Sequence, residues 1–288
     1  MKLQNNPTDS FIAWANAQPL VRALLLTSSQ ANPDAPVDRL SDHDVIIVVA
    51  DTHPFVTDEG WVRAYDTPLV CFRDSHVLEG ERTYARLVLY ADGTKIDYTL
   101  WPVALLAKVA AAPQLPDALD VGYRVLLDKD GLAHHLIPPT YRAHIPSKPS
   151  EAEYLALVEE FWWETTYVAK NLWRDELFPA KYSFDAVIKF DLLRRMLEWY
   201  IEIDHDWSLK PGNLGRGLKK YLSPDLWVQV ETTFVGPNVE ENWEALFRTA
   251  ALFRTIACAV ATRLGYAYPL DLDRRTLRYL SHIKQLEP

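Results

Sequence analysis

Four prolines, Pro138, Pro139, Pro146 and Pro149, fall within twelve residues and separate two stretches of different texture. Proline has no amide proton and a fixed φ, so neither a helix interior nor a central strand runs through such a segment. Before it, apolar runs of strand length alternate with turn residues at 21–26, 45–50, 69–72, 84–90, 95–100 and 125–127. Helical patterns interrupt them at 9–17, 61–66 and 103–111. After it, apolar residues recur at helical spacing, beginning with Tyr154, Leu157, Val158, Phe161 and Trp162. Ser150 and Glu153 form a capping box ahead of that run. Further helices are predicted at 184–203, 218–222, 224–234, 239–264 and 272–283. The expectation is an α+β chain, with a mixed sheet and flanking helices in 1–140 and a helical bundle in 141–288.

One hairpin is legible residue by residue. Ala91-Asp92-Gly93-Thr94 separates the runs 84–90 and 95–100. Asp-Gly is a strong short hairpin signal, because both turn positions favour positive φ. These two strands are therefore expected to pair antiparallel.

Charge narrows the partners. Lys and Arg number 30 against 39 Asp and Glu, a net charge of −9. A general nucleic-acid binder needs a basic footprint, so that class is excluded. An acidic surface suits a cationic partner, or an anion that arrives with a metal. The two cysteines, Cys71 and Cys258, cannot build a disulfide framework, which points to a reducing compartment and to buried thiols. Residues 1–10 are polar and lack the apolar stretch of a signal peptide. The longest apolar candidate, 249–264, is broken by Arg254 and Arg263. A cytoplasmic protein with no membrane partner is expected.

The sharpest local pattern is Ser41-Asp42-His43-Asp44 leading into a run of Val and Ile. Residues two apart on a strand share a face, so Asp42 and Asp44 project together and His43 points away. Adjacent carboxylates repel unless a cation neutralises them, and a hard divalent ion such as Mg²⁺ suits that donor set. A solvated loop entering a strand is the plain alternative for Asp-x-Asp alone. Two neighbours change the balance. Thr27-Ser28-Ser29 closes the strand upstream, where amides and hydroxyls suit phosphate oxygens. Asp97, between Ile96 and Tyr98, brings a third acid to the same face if its strand lies beside 45–49. Together these parts suit metal-dependent nucleotidyl transfer.

The chain resembles the aminoglycoside 6-adenylyltransferases, streptomycin-modifying members of the nucleotidyltransferase superfamily. The resemblance spans about 21–280. Its motifs in the first half are Ser41-Asp42-His43-Asp44, the segment from Asp92 to Leu100, and Leu127-Asp128-Lys129-Asp130. Those in the second are Glu160-Phe161-Trp162, Thr166-Tyr167-Val168-Ala169-Lys170, Leu193-Arg194-Arg195-Met196, Trp199-Tyr200-Ile201 and Lys219-Lys220-Tyr221-Leu222. It implies ATP as donor, Mg²⁺ as cofactor, AMP transfer to a streptomycin hydroxyl, and a nucleotidyltransferase-type first domain. Asp42, Asp44 and Asp97 would be the metal-binding acids. Lys170 would meet the triphosphate, with Arg174 one turn later on the same helix face. Asp97 is the first choice for the base that takes the acceptor proton, with Glu160 or Glu164 as rivals. The site would lie in the cleft between the two domains.

The family usually carries Gly-Ser-Arg where this chain has Ser28-Ser29-Gln30. Glycine lets a backbone approach phosphate closely, Ser28 adds a side chain there, and Gln30 removes a cation. The departure keeps two other readings open: the same chemistry on another aminoglycoside, a metabolite or a protein hydroxyl, and a non-catalytic nucleotide-binding relative. In the helical half, Glu160, Glu164, Glu198, Glu202, Asp204 and Asp206 stand among Trp162, Trp163, Trp199 and Trp207. Carboxylates and aromatic faces together suit a polycationic substrate, which assigns Glu160, Glu164, Trp162 and Glu202 to substrate binding. A solvated helix face over an aromatic core is the alternative. The glycine-rich loop at 209–217 lacks the P-loop pattern, and His134, His135 and His205 lack metal-ligand spacing.

Overall fold

The computed structural model describes residues 7–209 and 212–287. The first six residues of the polar N-terminal stretch, Lys210 and Pro211 of the glycine-rich loop, and Pro288 lie outside them. The chain divides into two compact units, Met1–Ala143 and His144–Pro288.

The first unit is a mixed six-stranded sheet. In chain order it contains α1 (Pro7–Ala17), β1 (Val21–Thr27), β2 (His43–Val49), the short α2 (His53–Thr57), β3 (Pro68–Leu78) and β4 (Glu81–Tyr90). β5 (Lys95–Pro102), α3 (Val103–Ala111), α4 (Asp117–Asp120) and β6 (Tyr123–Asp128) complete it. The strand order is β3-β4-β5-β2-β1-β6. β2 and β5 run parallel, and the other pairs are antiparallel. The segment expected to be helical at 61–66 is instead a 3₁₀ turn, Gly60–Ala64. β3 is much longer than its apolar run, because pairing with β4 continues through Arg73-Asp74-Ser75-His76.

The predicted hairpin forms between β4 and β5. Gly93 takes a φ of 87°, while Asp92 is not in the positive-φ region. Asp92 acts differently: its Oδ1 accepts the Thr94 amide at 2.8 Å. The turn thus needs one left-handed residue rather than two, and the aspartate supplies a side-chain hydrogen bond.

Strand alternation builds two cores, one on each sheet face. Val45, Ile47 and Val49 of β2, with Ile96, Tyr98 and Leu100 of β5, pack beneath α1 and its Phe11 and Ala15. Ile46 and Val48, with Trp101, pack beneath Leu105, Leu106 and Val109 of α3. Asp44 belongs to the row of Ile46 and Val48, so it stands on the α3 face. Cys71 and Cys258 are half-buried and free, more open than expected for core thiols, and burial raises the pKa of each.

The second unit is helical: α5 (Glu151–Trp173), α6 (Leu177–Lys181), a π-helical segment (Tyr182–Leu193), α7 (Arg194–Glu202), α8 (Leu218–Tyr221), α9 (Pro224–Glu231), α10 (Val239–Leu264) and α11 (Leu270–Gln285). Both halves of the predicted capping box are made at the start of α5. The helix expected over 184–203 has π geometry in its first part. Apolar spacing over two or three turns does not separate i→i+4 from i→i+5 bonding. α5 and α10 form the centre, where Phe161 stacks on Phe253 at 3.6 Å between ring centroids. α10 has the length and composition of a membrane span. Here its Trp243, Leu246, Phe253, Ile256 and Val260 are buried in the helical core.

Candidate active site

The parallel register of β2 and β5 sets Asp44 directly opposite Asp97. Opposed residues on neighbouring strands share a face, so both carboxylates project on the α3 side. Their strand neighbours Val45, Ile96 and Tyr98 are buried in the opposite core, which locks the alternation. Asp42 lies one residue before β2. Lys95 begins β5, and its ammonium joins the outer acids, donating to Asp42 Oδ2 at 2.6 Å and Asp97 Oδ2 at 3.2 Å. His43 faces the other way, edge-on to Phe11, with its Nδ1 buried.

The electrostatics follow from burial and proximity. Burial, then the charge of Asp97, pushes the Asp44 carboxyl up to about 6. Burial also raises Asp97, against the Lys95 ammonium, which favours its charged form. Burial works against the charge of Lys95, but its bonds to Asp42 and Asp97 leave its pKa above the usual range. Asp97 Oδ1 is buried with no hydrogen-bond partner among the described residues. Among those residues no three Asp, Glu, His or Cys side chains form a ready-made metal cage. What stands there is a pair of crowded carboxylates, an orphaned oxygen and one lysine cation. That oxygen-only donor set fits a hard divalent ion.

The turn after β1 lies beside these acids. Thr27 pairs with Asp44 across the sheet, and Thr27 Oγ1 donates to the Asp44 carbonyl at 3.4 Å. Ser28–Gln30 form one 3₁₀ turn. The Ser28 amide is committed to the Gly122 carbonyl at 3.1 Å, and the Ser28 carbonyl accepts from the amides of Ala31 and Asn32 at 3.0 Å each.

Other residues singled out by the sequence lie in the helical unit. A groove of ≈ 820 Å³ is lined by Glu159, Glu160, Trp162, Trp163, Asp271 and Arg275, among others. Trp162 is its floor rather than its wall: the ring is fully buried and Nε1 donates to Tyr268 Oη at 3.1 Å. Burial, with a smaller push from Glu160, raises the pKa of Glu164. Glu202 is not with them. It is fully buried, with Oε2 accepting from the Leu209 amide at 3.2 Å and Oε1 without a partner among the described residues. Its assignment to a substrate wall does not match that placement: spacing on α7 turns it inward, where the chain after the helix closes over it. Lys170 lies over the Tyr167 ring at 4.3 Å, and Arg174 is the exposed C-cap of α5.

A family model described as streptomycin adenylyltransferase matches residues 1–283. The chain belongs to that family. It is 29% identical to the aminoglycoside 6-adenylyltransferase of Bacillus subtilis (strain 168), over 98% of each chain. It is 28% identical to that of Campylobacter jejuni, over 99% of this chain and 97% of the relative. The crystal structure of an aminoglycoside 6-adenyltransferase from Bacillus subtilis aligns with a TM-score of 0.49 and 25% identity, covering 98% of this chain and 100% of that one. This streptomycin adenylyltransferase family member is a nucleotidyltransferase, and its family implies ATP as co-substrate.

One residue beside the β2–β5 acids was missed by sequence reasoning. Lys95 stands two residues before Asp97, and that spacing alone places it on the same face.

Proposed function

We propose that the protein transfers AMP from ATP to a hydroxyl of an aminoglycoside, with streptomycin as acceptor, and releases pyrophosphate. The observation that carries this reading is the opposition of Asp44 and Asp97 across β2 and β5, with Asp42 tied to Asp97 through Lys95. Asp42, Asp44 and Asp97 hold Mg²⁺, which when bound supplies positive charge for the triphosphate and for the hydroxyl as it ionises. The acceptor oxygen forms a bond to the α-phosphorus while the bond to the bridging oxygen of pyrophosphate breaks in line. The acceptor proton goes to Asp97, whose Oδ1 has no competing donor among the described residues. Lys95 keeps the outer acids paired until the nucleotide arrives.

The acceptor is polycationic, and the helical groove offers Glu159 and Glu160 beside the exposed Trp163 ring, while its Asp271 is paired with Arg275 at 2.9 Å. Such a wall binds ammonium and guanidinium groups through carboxylates and an aromatic face. Lys170 and Arg174 carry the proposed nucleotide-binding role, and the protein is proposed to act in the cytoplasm, where ATP is available and Cys71 and Cys258 stay reduced. A second reading, the same transfer to a different hydroxyl acceptor, draws on Ser28 and Gln30 in the turn beside the acids. Pyrophosphate release from ATP and Mg²⁺, measured across a panel of aminoglycosides and neutral sugars, separates the two. Release that depends on streptomycin supports the first. Release only with another acceptor replaces it with the second, and release with none overturns both.

A further inference from the structure

The sheet face that carries the acids runs on past them to an open edge. Phe72 pairs with Leu87 across β3 and β4, and Leu87 pairs with Asp97 across β4 and β5. Asp97 in turn opposes Asp44. One cross-strand row therefore reads Phe72, Leu87, Asp97, Asp44, with all four side chains on the same face. Asp74, two residues along β3, shares that face, as do Val70 and its partner Leu89. α3 covers another part of the face, over Ile46, Val48 and Trp101. The β3 end stays open: Phe72 is 62% exposed and Val70 57%. The Asp74 side chain is 43% exposed, with Oδ2 at 3.1 Å from His76 Nε2 and Oδ1 accepting the Ser75 amide at 2.7 Å. Edge strands are ordinarily defended by charge, so an open phenyl ring beside a carboxylate here calls for an occupant.

We infer that Phe72 and Asp74 are specificity-determining residues that hold the cationic acceptor, Phe72 beneath its ring and Asp74 against an ammonium or guanidinium group. The inference deepens the aminoglycoside reading and rests on the β2–β5 acids carrying the transfer. An in-line displacement brings the acceptor oxygen in opposite the departing pyrophosphate. The hydroxyl-bearing turn after β1 lies on one side of the acids and takes the phosphates, so the acceptor enters from the other side, over β4. Asp97, the proposed proton acceptor, stands on β5 and is the acid nearest β4. Two strand spacings of about 4.8 Å place Phe72 about 10 Å from Asp97. A six-membered ring with a guanidinium substituent spans a comparable length, so a hydroxyl at Asp97 puts the far end of the acceptor over Phe72. An aromatic face and a carboxylate together select a cation, and the net charge of −9 favours its approach.

Phe72→Ala and Asp74→Asn test the subsite, with Val77→Ala as control, since Val77 is as exposed on β3 as Phe72 but faces the other way. The readouts are KM for streptomycin, KM for ATP and kcat, with light scattering to follow association. Phe72→Ala should raise KM for streptomycin about tenfold, the scale of a partly desolvated cation–π contact. Phe72→Tyr keeps the ring and should keep the parental KM. Asp74→Asn should raise KM for streptomycin about threefold in low salt and less in high salt, because the charge is exposed. KM for ATP should hold throughout. A parental KM for streptomycin in Phe72→Ala, or the same rise in Val77→Ala, would overturn the inference while leaving AMP transfer in place. So would an equal rise in KM for ATP, since the nucleotide would then be the occupant. A dimer that Phe72→Ala dissociates would overturn it too, since a second copy would then cover this edge. An unsubstituted protein that transfers no AMP to streptomycin takes down the reading beneath the inference, and the inference with it.

Discussion

Asp44 is costly to keep ionised, and that cost is measurable. Burial and the neighbouring Asp97 raise its carboxyl from 3.8 to about 6. A raised acid pKa means that the folded state binds more protons than the unfolded state between these values, so stability falls as pH rises through that window. At 1.36 kcal/mol per unit, the penalty above pH 6 is about 3 kcal/mol. At pH 4.5, where much of the group is protonated in the fold, the same linkage leaves about a third of it. Asp44→Asn removes the charge while retaining the shape. In metal-free buffer at pH 8 the variant should therefore be more stable than the parent by about 3 kcal/mol, or roughly 6–12 °C in the melting of the sheet unit. At pH 4.5 the gap should shrink to about 1 kcal/mol. Urea titrations with chelator at both pH values read this directly. An Asp44→Asn variant no more stable than the parent at pH 8 would refute the reasoning, because it would mean that the carboxylate is solvated or already neutralised. Saturating Mg²⁺ should stabilise the parent and not the variant, which reverses their order.

Two further perturbations test the supports of the site and the groove. Gly122 has a φ of 123°, and a Cβ there would meet Tyr141 Cε1 at 3.0 Å and Asn32 Cβ at 3.2 Å. Gly122→Ala should cost at least about 2 kcal/mol and disturb the carbonyl that holds Ser28, so a thermal melt within about 1 °C of the parent would count against that packing. Asp273 is buried, accepts from the Arg254 guanidinium, and accepts from Tyr268 Oη at 2.9 Å, while Tyr268 receives Trp162 Nε1. Asp273→Asn should destabilise the helical unit by about 2–4 kcal/mol, below the full cost of breaking a buried pair because Arg254 keeps part of its hydration. Denaturant melts combined with Arg254→Met in a double-mutant cycle check it, and additive losses would show that the pair is not coupled.

Much of the frame was legible because local signals and the global fold agree. The capping box at Ser150 and Glu153, the Asp-Gly hairpin and the β1, β2 and β5 runs all rest on short-range chemistry. The acids were legible for the same reason: alternation puts Asp97 on a chosen face, and pairing beside β2 brings it to Asp44. What stayed hidden depends on tertiary context. Lys95 has a role only because Asp42 ends up within reach of its ammonium. Glu202 has the composition of a binding residue, yet its helix face is covered by the chain around Leu209. Within the π-helical stretch, Asp185 and Lys189 pair at 2.6 Å at an i,i+4 spacing the sequence shows, but the burial of Lys189 against the Phe184 and Phe234 rings is not legible from it. The left-handed Ser28 is held by one remote partner, the Gly122 carbonyl, together with the local amides of Ala31 and Asn32.

The central claim is that the β2–β5 acids carry AMP transfer, and Asp97→Asn tests it most directly. The amide would preserve shape and packing, leave a far-UV spectrum and melting curve close to the parent's, and remove the proton acceptor together with one ligand charge. Transfer of labelled AMP from ATP to streptomycin should fall at least about a hundredfold, the scale of a lost general base. A folded variant that transfers AMP at near-parental rate would contradict the account, and would shift the chemistry away from these strands.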